Sequence, residues 1–236
     1  MVLLNFFGDI CLQGIDTRYF TFGDSLNQLM QQRINIGNLE CAITESSKKK
    51  PFQPVCLSAS RDSLSLLKPF QILSLANNHI QDYCDQGCED TVEALNRENF
   101  QHFGLEKTVQ EAIAPLQIEH EGIKLAFIGA TRYANAKNGI GTSPENLSRL
   151  GPIIRKLKKE NFFVVLYLHW GYEYVRLPAP RERKIAHRCI DYGADLIIGA
   201  HPHFYQCMET YRNKSIFYSL GNFIFDRRIF DGLFAD

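Results

Sequence analysis

The sequence has no excess of either charge: 26 Lys and Arg are matched by 26 Asp and Glu. No global field therefore draws the chain toward nucleic acid or an anionic membrane. Long apolar runs are also missing. None approaches the roughly 20 residues needed to cross a bilayer, and Met1 to Phe7 is too short for a signal segment, with neither a basic start nor a cleavage site. That stretch reads as a first strand, and the chain as cytoplasmic. No repeat, linker or low-complexity tract divides the 236 residues. A single domain over 1–236 is expected, at a length where one α/β unit buries a full core. Cysteine is present but unorganised. Its seven positions (11, 41, 56, 84, 88, 189 and 207) are an odd, scattered set in a chain too large to need staples, and they read as reduced thiols. Cys84 and Cys88 lack the second pair that a thiolate zinc site requires.

What the sequence does have is a succession of apolar runs that end in polar or imidazole side chains. Val2 to Phe7 runs into Gly8-Asp9-Ile10-Cys11, Ile34 to Leu39 into Glu40, and Phe70 to Ala76 into Asn77-Asn78-His79. Phe162 to Leu168 delivers His169, and Leu196 to Ile198 delivers Gly199-Ala200-His201-Pro202-His203. Between them, helical spacing is predicted within Arg18–Gln32, Arg61–Lys68, Thr91–Arg97, Pro144–Lys159 and Pro180–Tyr192. Val55 to Leu57 reads as a minor strand. Tight hairpins are predicted at Glu121-Gly122 and Arg212-Asn213, and a loop from Arg132 to Ser143. Thr44 to Pro51, with Lys48, Lys49 and Lys50, reads as a solvated loop, and the basic side of the Pro144–Lys159 helix as a solvated face.

Each strand end has an ordinary explanation on its own, since Gly-Asp and Asn-Asn are common turn residues. Together they place ligand-type residues at the carboxyl edge of a parallel sheet, where α/β proteins bind ligands. In His201-Pro202-His203, extended backbone would aim both imidazoles the same way, and Pro202 is expected to hold His201 extended. Asp9, Glu40, Asn78, His79, His169, His201 and His203 form the candidate set. Carboxylate, amide and imidazole together suit manganese, iron or zinc, and the set is long enough for two metals about 3.5–4 Å apart. His102, His120 and His187 read as surface or packing residues.

The order of Gly8-Asp9, Asn38-Leu39-Glu40, Ala76-Asn77-Asn78-His79, His169-Trp170-Gly171-Tyr172-Glu173-Tyr174, Gly199-Ala200-His201-Pro202-His203 and Ser219-Leu220-Gly221-Asn222-Phe223-Ile224-Phe225-Asp226 resembles the CapA family, within the calcineurin-like metallophosphoesterase superfamily. The resemblance runs from Gly8 to Asp226. It implies an α/β fold, a four-layer α/β/β/α metallophosphatase-like sandwich of two mixed sheets flanked by helices. The chain stops ten residues past Asp226, so C-terminal strands are expected to be lacking and a sheet edge exposed. The resemblance further implies two divalent metal ions (Mn, Fe or Zn). Asp9 and His203 would hold one, Asn78, His169 and His201 the other, and Glu40 would bridge. His79 would be the catalytic proton donor or charge stabiliser, and a bridging hydroxide the nucleophile.

Cys11 stands where phosphoesterases carry a histidine; it is either a thiolate ligand or, more simply, a small buried residue. Glu173, Asn222 and Asp226 are weaker candidates for orienting ligands or touching substrate. The implied partner is an anionic small molecule or polymer, with a phosphoester or an amide as the scissile group, in a capsule or poly-γ-glutamate synthesis complex. The opposing reading is a non-catalytic accessory or scaffold that binds anionic polymer.

Overall fold

The computed structural model describes residues 2–106, 108–133 and 146–226. A five-stranded sheet takes the order β13-β1-β2-β5-β6, from β1 (Leu4–Ile10), β2 (Ile34–Leu39), β5 (Ile72–Ser74), β6 (Gln101–Phe103) and β13 (Asn222–Ile224). A six-stranded sheet takes the order β11-β12-β10-β9-β8-β7, from β7 (Leu116–His120), β8 (Ile123–Thr131), β9 (Phe163–His169), β10 (Leu196–Ala200), β11 (Met208–Tyr211) and β12 (Lys214–Phe217). A small pair, β3 (Ala42–Ile43) and β4 (Ser58–Ala59), lies apart. Two mixed sheets were expected, and the six-stranded sheet is mixed. The five-stranded one is parallel at every described pairing, because each return connection is a crossover rather than a hairpin.

Side-chain alternation explains the layering. Leu125, Phe127, Val165, Tyr167 and Ile198 point inward, toward Ile34, Ile36, Ile72 and Phe103 of the facing sheet. Their neighbours Ala126, Ile128, Val164, Leu166 and Ile197 point outward, under α4 (Leu147–Lys159) and α5 (Pro180–Tyr192). On the far side, Ile10, Leu39 and Leu73 pack beneath α2 (Cys84–Arg97) and the 3-10 helix Arg61–Leu67, with Met30 of α1 (Asp24–Met30). Strands buried on both faces must be apolar throughout, and each fully buried Ile or Phe contributes roughly 1.5–3 kcal/mol. The result is the α/β/β/α sandwich.

Local signals place most boundaries. Pro180 opens α5, and Gly193, at φ 114°, ends it with its N–H donating to the Ile190 carbonyl. Glu121 and Gly122, at φ 49° and 75°, make the hairpin between β7 and β8. Other expectations require correction. The minor strand lies at Ser58–Ala59 rather than Val55 to Leu57, and α2 begins at Cys84, two turns before Thr91. Strand β6 was not predicted. The short helix α3 (Val109–Ala112) completes the described elements. The loop expected from Arg132 to Ser143 and the start of the Pro144–Lys159 helix fall mostly on 134–145, outside the described residues. The expected lack of C-terminal strands falls on 227–236, also outside them. No described helix is long and apolar enough to cross a membrane.

Candidate metal centre

Parallel strands bring their carboxyl ends to one edge, and the two sheets meet there. Asp9 comes from β1, Glu40 directly follows β2, and Asn78 and His79 follow β5. His169 ends β9, and His201 and His203 follow β10. Gly8 makes the approach of β1 to the last strand: a Cβ there would lie 1.8 Å from the Gly221 carbonyl oxygen. Close contact lets Asp9 N–H donate to that carbonyl at 2.9 Å, which fixes the Asp9 side chain at the strand end.

Three groups of ligand-type atoms each lie within 4.8 Å of one another: Asp9, Glu40 and His203; Glu40, His169 and His201; and Glu173, His201 and His203. Glu40 belongs to the first two. It is fully buried, and among the described residues neither of its carboxylate oxygens has a hydrogen-bond partner. Burial, and then the Asp9 carboxylate, pushes its pKa well up. His169 Nε2 lies 3.3 Å from Glu40 Oε1, and the same nitrogen faces Asn78 Oδ1 at 2.7 Å and His201 Nδ1 at 3.1 Å. One ring nitrogen carries at most one proton, so it cannot satisfy three neighbours. Four donor atoms thus face one another. Burial drives His169 down to about 3 and His201 lower still, which keeps both rings neutral with lone pairs available to a cation. An orphaned buried carboxylate shared by two imidazole-bearing groups fits two divalent cations.

The ligands are oriented by amides. Asn38 Nδ2 donates to Asp9 Oδ1 at 2.9 Å, and the His201 backbone N–H donates to Asp9 Oδ2 at 3.1 Å. Asn77 Nδ2 donates to Asn38 Oδ1 at 3.1 Å, while Asn77 Oδ1 accepts the N–H groups of His79 and Ile80. Asn222 Oδ1 lies 2.8 Å from His203 Nδ1, and the same nitrogen is 3.7 Å from Asp9 Oδ2. The His203 pKa is pulled down by burial and, more strongly, up by Glu40 and Asp9, for a net rise.

The extended geometry expected at His201 is not observed. Its φ is 95° and that of His203 is 60°, a left-handed region that costs a non-glycine residue on the order of 1–3 kcal/mol. The hydrogen bond from His201 N–H to Asp9 accompanies this turn, and the two rings still sit 6.0 Å apart. His79 Nδ1 is 2.6 Å from Asp82 Oδ2, and Asp82, fully buried, also accepts Leu57 N–H at 2.8 Å. Burial lowers the His79 pKa, but the Asp82 hydrogen bond and Glu40 outweigh it and raise it overall.

The weaker candidates separate. Cys11 is fully buried and belongs to none of the three groups; its hydrogen bond with Cys41, then burial, pushes its thiol pKa up. Glu173 is exposed and reaches the His201 and His203 group. Asp226 lies against Gly14, where an added Cβ would come within 2.7 Å of its Oδ2, and joins none of the groups. Sequence reasoning missed Asp82, Asn38 and Asn77 as orienting groups. The available signal was the i, i+3 spacing of His79 and Asp82, one turn apart.

The chain is 34% identical over 200 residues to the PGA biosynthesis protein CapA of Bacillus subtilis, covering 81% of this chain and 53% of that protein. It is 34% identical over 205 residues to the capsule biosynthesis protein CapA of Bacillus anthracis, covering 81% and 50%. A probable polyglutamine synthesis accessory protein of Mycobacterium tuberculosis is 28% identical over 212 residues, covering 80% and 54%. The chain spans about half the length of the curated relatives it matches. A hypothetical protein from Thermus thermophilus shares the fold, with a TM-score of 0.56 at 18% identity over 92% of this chain and 75% of that one. The sequence model of the bacterial capsule synthesis protein PGA_cap matches residues 4–227, and the chain belongs to that family, the CapA family.

Proposed function

We propose that this chain is a metal-dependent hydrolase, phosphoesterase-like in its chemistry, that acts in the synthesis of a capsule polymer of the poly-γ-glutamate kind. The observation that carries the reading is Glu40, buried, with neither oxygen hydrogen-bonded among the described residues, and shared by two groups of carboxylate and imidazole side chains. Asp9, Glu40 and His203 would hold one divalent cation, and Glu40, His169, His201 and Asn78 the other. Such cations supply Lewis-acid polarisation of a phosphoryl or carbonyl oxygen and an acidified water. The protein's own part is orientation and proton handling. Asp82 fixes the His79 ring through Nδ1, which leaves Nε2 to hold a proton for the leaving group. Asn38 and Asn222 hold Asp9 and His203 in place.

The scaffold reading has one observation in its favour: Cys11 lies outside the three groups, so among the described residues the first group has three protein side chains. The His79–Asp82 pair favours catalysis, because a purely structural cation needs no oriented proton carrier. Elemental analysis of protein purified without chelator, beside His201→Ala and Asp9→Ala, tests the metal assignment. About two bound ions in the parent and fewer in each variant are expected; no bound divalent metal after reconstitution with manganese or zinc would sink it. His79→Ala should retain metal and lose hydrolysis of phosphomonoesters and phosphodiesters by about 10²–10⁴-fold. Unchanged activity would remove His79 from the mechanism.

A further inference from the structure

Arg132 follows the last residue of β8, beside His169 at the end of β9, and its backbone N–H donates to the His169 carbonyl at 3.0 Å. Its position is thus a third strand end of the six-stranded sheet, next to those that carry His169 and His201. Among the described residues, three side chains meet its guanidinium, one of them Tyr172, whose hydroxyl accepts from Nη2 at 3.5 Å. Glu182, in the first turn of α5 and almost wholly buried, places Oε1 3.6 Å from Arg132 Nη1. The Tyr172 ring lies under the guanidinium, 5.0 Å from Cζ to the centroid. Tyr133 lies 5.8 Å from the same carbon, and its own ring is 4.3 Å from that of His201. The Tyr133 hydroxyl also donates to the Gly171 carbonyl, which ties this wall to the loop after His169.

A guanidinium whose face rests on an aromatic ring and whose edge meets a buried acid has lost most of its rotamer freedom before any ligand arrives. The guanidinium both meets the buried Glu182 and reaches solvent: the side chain is 20% exposed beside the end of β9, and Tyr172 next to it is 54% exposed. A planar, fixed cation beside a cluster of cation ligands suits an oxyanion that extends from the reacting group, which is the geometry arginine recognises through paired N–H donors. We infer that Arg132, braced by Glu182 and walled by Tyr133 and Tyr172, forms an oxyanion subsite that grips a phosphate or carboxylate of the substrate beside the metal centre. The inference rests on the hydrolase reading for the identity of the substrate, but not for the binding itself.

Isothermal titration of inorganic phosphate, and in a parallel arm of acetate, into the full chain tests it. Each titration is run on manganese-loaded protein freed of unbound metal and on chelated protein, with bound metal measured by elemental analysis. Arg132→Gln should weaken the oxyanion that binds by at least about tenfold while metal content matches the parent, and the arm that loses affinity shows whether phosphate or carboxylate is the group held. Removing the arginine strands the buried Glu182, so the double variant Arg132→Gln/Glu182→Gln, which removes both charges, keeps the test open should the single variant unfold; the same loss is expected. Binding of both probes within twofold of the parent, with metal retained, would overturn the subsite, as would no binding of either probe to the loaded parent. A parent that holds no metal but still binds an oxyanion through Arg132 would leave the subsite standing and remove the hydrolase reading instead.

Discussion

Glu40 and Asp195 are both buried carboxylates placed at strand ends, but at opposite edges: Glu40 follows β2, and Asp195 precedes β10. Asp195 is met by Lys158 Nζ at 2.5 Å, Lys214 Nζ at 2.7 Å and the Val164 N–H at 2.9 Å. Burial pushes its pKa up, but those hydrogen bonds outweigh it and hold the pKa low. Glu40 meets another carboxylate, and burial and that charge outweigh the nearby His203 and His79, so its pKa moves the other way. At the amino edge the chain satisfies its own buried acid. At the carboxyl edge, among the described residues, Glu40 has no hydrogen-bond partner for either oxygen, and on the proposed reading a cation would complete it.

The comparison breaks most directly at Glu40. In Glu40→Gln, bound metal should fall and phosphoesterase turnover drop by at least about a hundredfold, while the chelated variant melts above the chelated parent because an unpaired buried charge is gone. Two retained ions would refute the contrast. Asp195→Asn should do the reverse, leaving metal content unchanged and destabilising the fold by about 1–3 kcal/mol, read by calorimetry as a fall of about 2–4 °C per kcal/mol.

Acid separates the two carboxylates by sign. The folded pKa of Asp195 is depressed, so its contribution is complete above the unfolded value of about 3.9 and disappears as pH falls below that. The folded pKa of Glu40 is raised, so its penalty is complete at high pH and is relieved as pH falls toward about 4.3. In chelated protein, the melting gap between parent and Glu40→Gln should therefore close at higher pH than the gap between parent and Asp195→Asn. Coincident closure would show that the two acids are not distinguished by their partners. The smallest effect belongs to Cys11→Ala. Its thiol bonds Cys41, so metal content should stay at the parental level, with at most a few degrees lost in melting; loss of an ion would restore Cys11 as a ligand.

The layering and the gathering of the candidate residues at one edge were legible because apolar strands must end somewhere, and these end in imidazole, amide and carboxylate. The supports were less visible. Asn38, Asn77 and Asp82 look like turn residues until the chain is folded, since what each one bonds lies in a distant segment or depends on a local turn. Strand β6 escaped because Gln101 and His102 are polar residues of an edge strand, where only Phe103 faces the core. The first turns of α2 escaped because Cys84-Asp85-Gln86-Gly87 shows no apolar period, although Gly87 packs against Tyr83 and Ala42. His201 departed from the rule for residues before proline because tertiary bonding to Asp9 overrode a local preference.

Asp9 and Glu40 ride on one sheet, His169 and His201 on the other, and only noncovalent packing sets how the sheets sit against each other. The Tyr167 hydroxyl donates to the Phe7 carbonyl across that gap. Tyr167 stands two residues before His169, and Phe7 two residues before Asp9, so this bond works as an index pin set close to the edge it gauges. Apolar side chains in the layer resist separation but offer little resistance to sliding. A directional bond between named atoms supplies the missing coordinate, and with the His201 N–H bond to Asp9 it sets the tolerance of the spacing between the two halves of the centre.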